Sequence, residues 1–237
     1  MGEDDMDVNQ NFDQISHYLR EYQLESIFPQ QLLPHLLLFR FDPGELICFQ
    51  GEQADALYVL VKGKVKIYTT TAEDKTLILS FKSPLEVIGE VEYVRGMENL
   101  NTVEAVSVVW MIGVQHRWLK KYGHAHAPFL QFLLEIITKK FTLKSNSLSF
   151  NLMHPVDVRL ASYLLSVSFD ESDSQLRGQL GTDQLIDAAH LIGTSYRHLN
   201  RVIQQMCIDG LIERSKGYIV VKDRAGLAAM ARGNIYE

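Results

Sequence analysis

Cysteine is scarce in this sequence: Cys48 and Cys207 are the only two in 237 residues. Two thiols cannot form a disulfide framework or, within one chain, ligate an iron–sulfur cluster. Long apolar runs are also missing, since no stretch approaches the ~20 residues of a membrane-spanning helix. Residues 1–7 are acidic and unlike a secretory signal. We therefore expect a cytoplasmic protein with no membrane partner, in which both cysteines are buried apolar residues. A redox switch at either cysteine is the alternative.

The sequence has no excess of positive charge. It carries 23 Lys and Arg against 29 Asp and Glu, a net charge of −6. From Leu152 onward nine Lys and Arg stand against ten Asp and Glu. A broadly basic nucleic-acid-binding surface is therefore excluded. Any binding to DNA has to depend on a few clustered cations, on specific contacts and on dimerisation.

No arrangement of residues typical of catalysis stands out. The sequence has no recognisable Ser/His/Asp or Cys/His signature. His124 and His126 could offer two imidazoles to zinc from one face of a strand, but a solvated loop before Pro128 is the simpler interpretation. We expect no metal, no cofactor and no enzymatic activity.

The most informative pattern lies between residues 182 and 206. A first helical segment ends at Ile192, and its small alanines, Ala188 and Ala189, would let a second helix cross closely. Gly193 then supplies a turn, and Ser195 can cap the next helix by accepting an amide hydrogen bond. The buried stripe of that helix would be Leu199, Val202, Ile203 and Met206. This is the layout of a helix-turn-helix whose second helix enters the DNA major groove.

A β-hairpin is expected directly after this helix. Residues 211–214 and 218–221 alternate as short strands around the turn 215–217. A hairpin in this position is a wing. Arg214 and Lys216 are expected at its tip, where they could contact DNA phosphates.

The first half of the chain has the period-two pattern of β-strands. Six strands are expected, at residues 36–41, 46–49, 56–61, 64–68, 76–81 and 106–112. Turn residues separate them at nearly even intervals, which indicates a small antiparallel barrel or jelly roll. The preceding residues, 12–28, have a weak helical period, and residues 1–14 are expected to be a loose acidic tail.

A long apolar helix should begin at Pro128 and run to about residue 150. Its apolar positions recur at helical spacing and cover more than one face. One face would pack on the barrel and the other on the same helix of a second chain. Burial within a single chain is the alternative. His154 and Pro155 should end the helix and mark a hinge.

These features together resemble the CRP/FNR family of bacterial transcription regulators. The likeness covers about residues 36–221 and includes glycines at 44, 51 and 63. Residues 88–92, 195–199 and 209–212 are most similar to the YeiL-like branch.

The resemblance implies an α+β fold and four segments. The fold would combine an N-terminal cyclic-nucleotide-binding-like β jelly-roll barrel, a long dimerisation helix and a C-terminal winged helix-turn-helix. The expected segments are an acidic tail (1–14), a sensor domain (15–125), the dimerisation helix (126–152) and the DNA-binding domain (153–237).

In relatives that bind cyclic nucleotides, a Gly-Glu pair opens a phosphate-binding cassette, and an arginine about ten residues later pairs with the cyclic phosphate. Gly89 and Glu90 match the pair, and Glu90 would bind the ribose hydroxyl. Asn99 and Leu100 stand where the resemblance expects Arg and Ser. Losing the charged partner of a buried phosphate costs ~2–5 kcal/mol, so we do not expect cyclic AMP to bind.

The candidate effector contacts are Gly89, Glu90, Arg95, Asn99, Asn101 and Thr102. Arg95 could turn toward a phosphate, and Asn101 or Thr102 could donate a hydrogen bond. A different small effector in a remodelled pocket and an empty pocket are both open. For Glu90 alone, the simpler interpretation is a carboxylate satisfied by backbone amides at a helix start.

The family reads bases with the first, second and sixth residues after the turn serine. These are Tyr196, Arg197 and Arg201, while Ser195 and His198 would hold phosphate. Arg201 matches the usual arginine and could bind guanine. Tyr196 and Arg197 depart from the common choices, so the operator should differ from the family consensus. For Tyr196 the alternative is helix packing.

The resemblance implies a homodimeric regulator that binds an inverted repeat in double-stranded DNA, responds to a small-molecule effector and contacts RNA polymerase. Two other functions stay open. A cyclic-nucleotide adaptor that does not bind DNA would leave the second helix unexplained. A metal-dependent jelly-roll enzyme needs histidines along the barrel strands, where only His35 stands near an edge.

Overall fold

The computed structural model describes residues 3–71, 76–167, 180–182, 185–215 and 217–231. Internal contacts divide the chain into two compact units. The first comprises Met1–Lys66 and Lys82–Lys140, and the second comprises Ile67–Phe81 and Phe141–Glu237. The architecture is α+β, with a β-sheet domain first and a helical domain with a small sheet last.

The first helix, α1, spans Glu3–Glu21, so most of the segment expected as a loose tail is helical. No proline or glycine interrupts residues 3–21, which permits a continuous helix. Ile15 and Leu19 are buried and anchor the helix in the core of the first unit. A short 3₁₀ turn, Leu33–His35, leads into the first strand.

Within the described residues before α4, eight strands form two antiparallel sheets. The first contains β1 (Leu37–Phe41), β3 (Ala56–Lys62), β6 (Glu86–Ile88) and β8 (Val109–Gln115), in the order β1-β8-β3-β6. The second contains β2 (Leu46–Cys48), β4 (Val65–Thr70), β5 (Thr76–Lys82) and β7 (Thr102–Ala105), in the order β2-β7-β4-β5. Strand β8 lies between β1 and β3, with Leu38 opposite Ile112 and Val59 opposite Ile112 on the other side.

Five of the six predicted strands begin and end within two residues of an observed strand, and the sixth prediction, 106–112, is displaced. Residues 106–108 form a turn instead, and strand β8 begins only at Val109. The turn is fixed by the backbone of Lys64, whose carbonyl accepts from Val106 N–H at 3.0 Å. The Lys64 N–H donates to Ser107 Oγ at 2.9 Å. Strands β6 and β7, of three and four residues, were not predicted, because such short runs have little periodicity.

Helix α2 spans Glu90–Arg95, between β6 and β7. Helix α3 (His116–Trp118) and a wide turn, Leu119–Gly123, join β8 to the long helix. Helix α4 covers Ala127–Met153 and ends at the predicted His154–Pro155 break. Phe129, Phe132 and Leu133 bury one side of α4 in the core of the first unit.

The described part of the second unit after α4 has four helices and a three-stranded sheet. The helices are α5 (Val156–Val167), α6 (Leu185–Leu191), α7 (Tyr196–Ile208) and α8 (Arg224–Met230). The sheet has the order β10-β11-β9, with β9 at Leu180–Gly181, β10 at Ile212–Ser215 and β11 at Tyr218–Val221. Leu160, Leu164, Ile192 and Ile203 lie in its core. Ala188 and Ala189 are fully buried, as the close helix crossing requires.

The turn at residues 106–108, which is hydrogen-bonded to the backbone of Lys64, provides a test of how closely the barrel is packed at Gly63. Gly63 and Gly44 both have φ near +90°, but a Cβ on Gly63 would collide with the backbone of Val108, whereas one on Gly44 would meet nothing. We expect Gly44→Ala to cost about 1 kcal/mol of stability through backbone strain alone. Gly63→Ala should cost about 1–3 kcal/mol more, because the turn has to move. Urea unfolding of the full chain measures both, and equal midpoints would contradict the steric role of Gly63.

Candidate nucleic-acid interface and effector cassette

The two helices of the predicted helix-turn-helix meet at Gly193. This glycine has φ +68°, in the left-handed region that residues with a Cβ rarely adopt. Ser195 caps α7, as the sequence predicts: its Oγ accepts from His198 N–H at 3.2 Å. The turn between α6 and α7 is therefore defined by one backbone conformation and one side-chain hydrogen bond.

A third helix holds this turn from outside, a contact that the sequence analysis missed. Arg159 of α5 donates from Nη1 to the carbonyl of Ile192 and, at 3.4 Å, to that of Gly193. Carbonyls at the end of a helix lack hydrogen-bond partners within the helix, and that end carries the negative pole of the helix dipole. A cation there is favourable both as a hydrogen-bond donor and as a positive charge. One signal could have revealed it: Arg159 and Asp157 are the only charged residues in α5.

The face of α7 opposite the core is open. Leu199, Ile203 and Met206 are buried, as predicted, whereas Val202, the fourth residue of the predicted stripe, is half-buried. Tyr196 is 43% exposed, and Arg197 and Arg201 are exposed. Within the part of the chain that the structure describes, neither guanidinium forms a hydrogen bond or ion pair. The helix therefore presents an aromatic ring and two unengaged cations on one surface.

The wing differs from the prediction at Arg214. This residue does not lie at the tip of the hairpin but within β10, paired with Ile219 of β11. Its Nη1 donates to Asn200 Oδ1 at 3.1 Å, and Asn200 Nδ2 donates to the Tyr196 carbonyl at 3.1 Å. Ser215 of β10 pairs with Tyr218 of β11. Lys216 lies outside the described residues.

In the cassette, the Gly-Glu pair is in place but its carboxylate is occupied. Gly89 has φ +91° and precedes α2, and Glu90 is 4% exposed. The ammonium of Lys140, from α4, lies 2.9 Å from Glu90 Oε1 and 2.9 Å from Glu86 Oε1. It also donates to the Val87 carbonyl at 2.6 Å. The oxygen expected to bind a ribose hydroxyl is thus held by a lysine of the same chain.

Lys140 stays protonated in this setting. Burial lowers the pKa of Lys140, but the carboxylates of Glu90 and Glu86 act in the opposite direction and together raise the pKa above its usual value. The group is therefore a buried ion triad, two carboxylates around one ammonium. It ties the middle of α4 to strand β6 and to the start of α2.

The remaining cassette residues are bonded to the neighbouring loop. Asn99 Nδ2 donates to the Phe49 carbonyl at 3.2 Å. Thr102 is buried, and its Oγ1 accepts from Gln50 N–H at 3.1 Å. The carbonyl of Asn101 lies 3.8 Å from the Cys48 thiol. Arg95 is exposed at the last position of α2. The structure gathers Asn99, Asn101 and Thr102 along this loop and places Arg95 on the surface.

The Cys48 thiol beside this loop has low reactivity at neutral pH. Burial, with the nearby carboxylates of Glu92 and Glu52, raises the pKa of Cys48 to about 11. The reactive form of cysteine is the thiolate, which is scarce at neutral pH when the pKa is this high. The site gives no support to a redox switch at Cys48.

Two further observations bear on other functions. Among the described residues, no three His, Cys, Asp or Glu side chains are grouped as metal ligands. In the same residues, no helix has the length and apolar character needed to cross a membrane.

Comparison with known proteins gives matches along most of the chain. Residues 38–120 match the family model of the cyclic nucleotide-binding domain, and residues 158–230 match that of the Crp-like helix-turn-helix domain. The regulatory protein YeiL of Escherichia coli O157:H7 is 28% identical over 194 residues, covering 82% of this chain and 85% of that protein. The CRP-like cAMP-activated global transcriptional regulator of Mycobacterium tuberculosis H37Rv is 22% identical over 195 residues, covering 81% and 87%.

Solved structures share the fold. Two transcriptional regulators, one of the CRP family and one of the CRP/FNR family, both from Thermus thermophilus, align with TM-scores of 0.58 and 0.63. Their sequences are 21% and 20% identical to this chain. The alignments cover 84% and 83% of this chain, and 98% and 99% of those structures.

The Arg159 contact can be tested by stability. Arg159→Gln removes the cation that holds the helix-turn-helix carbonyls, and we expect a loss of about 1–3 kcal/mol in the free energy of unfolding. Arg197→Gln, an exposed arginine of the same unit, should change it by less than about 0.5 kcal/mol. Urea unfolding measures both. Amide hydrogen exchange at residues 192–195 should also become faster in Arg159→Gln and not in Arg197→Gln. Equal stability and exchange in the two variants would contradict the role of Arg159 in holding the turn.

Proposed function

Because this chain belongs to the CRP/FNR family of transcription regulators, we propose that it binds an inverted-repeat DNA site as a homodimer, with α7 of each copy in a major groove. The observation that carries the proposal is the open face of α7. That face is presented by a capped, rigidly held helix whose other side is buried. The proposed activity is regulatory and not catalytic.

The chemistry of that face suits base recognition. Arg201 would bind guanine through two parallel hydrogen bonds, and Arg197 and Tyr196 would read neighbouring base edges. Ser195 and His198, at the start of the helix, would lie near phosphates. Arg214 uses one of its five N–H groups on Asn200, which leaves others for the DNA backbone. Lys216 completes the proposed set of contacts.

The proposed dimer is supported by the exposed side of α4. Leu130, Leu134 and Phe141 are exposed at 43%, 55% and 72%, and Ile137 between them is half-buried. Their spacing of four, three and four residues is the heptad pattern of helices that pair side by side. Burial of such side chains is worth about 1.5–3 kcal/mol each, so a second copy of α4 is a strong candidate to cover them. Two recognition helices would then stand ~34 Å apart.

We propose that this regulator works without cyclic AMP in its cassette. The M. tuberculosis relative is named as cAMP-activated. Here Asn99 and Leu100 replace the expected phosphate partners, and Glu90 is already paired with Lys140. A cyclic nucleotide would have to break that ion pair and would gain no guanidinium in return. The adaptor alternative remains weaker, because it assigns no role to the open face of α7.

Selection of the purified full chain on a randomised DNA library tests the proposal directly. We expect enrichment of an inverted repeat whose half-sites are one helical turn apart, with no change on adding cyclic AMP. Enrichment of unrelated sequences, or none in the absence and presence of cell extract, would contradict the DNA-binding proposal. Enrichment only with cyclic AMP would contradict the assignment of the cassette.

Arg201→Ala then tests the assignment of bases. We expect affinity for the selected site to fall by the equivalent of about 1–3 kcal/mol, and a repeated selection to lose preference at one base position in each half-site. Arg20→Ala removes the same charge from α1 and serves as the control. It should leave both the affinity for the selected site and the base preference unchanged. Equal weakening on selected and random DNA would show that Arg201 contacts phosphate instead of a base.

Phe141→Glu tests the dimer. Phe141 is the most exposed member of the apolar stripe, and a carboxylate there should weaken self-association by at least about 100-fold, because unpaired buried charge is strongly unfavourable. Sedimentation measures this directly. Lys139→Glu, also exposed on α4 but outside the stripe, serves as the control. A Phe141→Glu variant that remains dimeric would show that α4 is not the interface.

A further inference from the structure

A polar cavity of about 480 Å³ lies in the first unit, apart from the cassette contacts described above. It opens where the loop before β3, the end of α2 and the segment after β8 come together. Its polar lining consists of Gln53, Asp55, Gln115, His116, Arg117 and Lys120. The volume is in the range of small-molecule sites. None of these six residues belongs to the proposed DNA interface or to the cassette.

The charged side chains that line the cavity, Asp55, Arg117 and Lys120, are exposed. Among the described residues, no ion pair joins Asp55, Arg117 or Lys120 to a partner. Arg117 has a stacking contact, with its guanidinium 5.1 Å from the ring centre of Trp118. The cavity thus offers two cations and one carboxylate, with the amides of Gln53 and Gln115 beside them.

His116 supplies the second, independent observation. The residue is only 8% exposed, and its Nε2 has no hydrogen-bond partner in the described part of the chain. A buried polar atom left unpaired is unfavourable by about 1–3 kcal/mol, so most such atoms in folded proteins have a partner. Burial, and then the charge of Lys120, lower the pKa of His116, against weaker opposite effects of Asp55 and the backbone of Ala56 and Ala54. The imidazole is neutral at pH 7.

The wall of the cavity is connected to two helices through aromatic contacts. The ring of His116 lies 5.2 Å from that of Tyr93 in α2. Tyr93 in turn packs edge-on against Phe129 of α4, with ring centres 6.2 Å apart. Phe129 is fully buried. A molecule that moves or fixes His116 would therefore act on both α2 and the start of α4.

We propose that this cavity, and not the cassette, is the effector site, and that it binds a small organic anion of the hydroxy- or amino-carboxylate class. The ligand carboxylate would pair with Arg117 and Lys120, since a guanidinium binds a carboxylate through two parallel hydrogen bonds. The ligand hydroxyl or ammonium would donate to Asp55. The buried His116 Nε2 would gain the partner that it lacks through a small movement of its ring toward the ligand. Binding itself stands independently, and only its effect on DNA rests on the proposed function.

Histidine NMR of the full chain tests the proposal. Samples with ¹³C-labelled histidine are titrated with malate, aspartate or inorganic phosphate at constant ionic strength, and the His116 signal is assigned from a His116→Gln sample. We expect malate or aspartate to shift the His116 signal saturably. Phosphate should bind at least about 10-fold more weakly, because its oxygens all surround one phosphorus atom, whereas malate and aspartate carry the donor for Asp55 on a carbon next to the carboxylate. Malate and aspartate distinguish a hydroxyl from an ammonium as that donor.

Two surface substitutions make the assignment specific. Arg117→Gln combined with Lys120→Gln should raise the dissociation constant at least about 10-fold, because both cationic partners of the carboxylate are lost. Lys121→Gln is the matched control: Lys121 is the next cation in the chain, is exposed and does not line the cavity. A saturable His116 shift that is lost in the double variant and kept in the control supports the proposal.

Three results would overturn it: no saturable shift with malate or aspartate, the same affinity in the double variant, or phosphate binding as tightly as the carboxylates. The selected operator separates this proposal from the previous one. Fluorescence anisotropy on that DNA should change by at least about 5-fold in affinity when malate or aspartate saturates the cavity. An enriched inverted repeat with an empty cavity refutes only the effector site, whereas a filled cavity with no enriched DNA refutes only the DNA proposal.

Discussion

The ion triad of Lys140, Glu86 and Glu90 is the interaction on which the first unit most depends. One ammonium lies between two carboxylates and a carbonyl, and Glu90 is almost wholly buried. Removing Lys140 would leave the buried carboxylate of Glu90 without its cation, which proteins tolerate poorly. The triad therefore fixes where α4 leaves the barrel. The family resemblance implies that the Glu90 carboxylate binds a ligand. In this structure the same carboxylate is paired with Lys140 instead.

With the effector site proposed above, the triad and the polar cavity would show how a domain keeps its architecture while its ligand site moves. The glycine turns, the short helix α2 and the long helix α4 are all in place. The chemistry differs: the cassette carboxylate is neutralised internally, and cations without ion-pair partners among the described residues stand at another surface of the same fold. One fold can carry different functional sites in different proteins. The proposed effector site would be an example in which the site has moved to another surface of the same domain.

Much of the fold could be predicted because its signals are local. The Ser195 cap, the Gly193 turn and the end of α4 at His154 each depend on residues within a few positions of one another. The missed contacts join distant positions. Lys140 and Glu90 are 50 residues apart and Arg159 and Ile192 are 33 apart, and one sequence has no periodicity that reports such pairs. The Val109 boundary was misplaced because an apolar turn has the composition of a strand.

The hydrogen bond between Arg214 and Asn200 has a consequence for how this regulator can diverge. Asn200 stands between the residues proposed to read bases, and it also sets the orientation of the wing arginine. With the proposed DNA contacts, a change at position 200 in a descendant protein would move the wing arginine relative to the DNA backbone without altering a base-reading residue. New operators could arise from a residue that touches no base, so alignments restricted to base-contacting positions would group such regulators incorrectly.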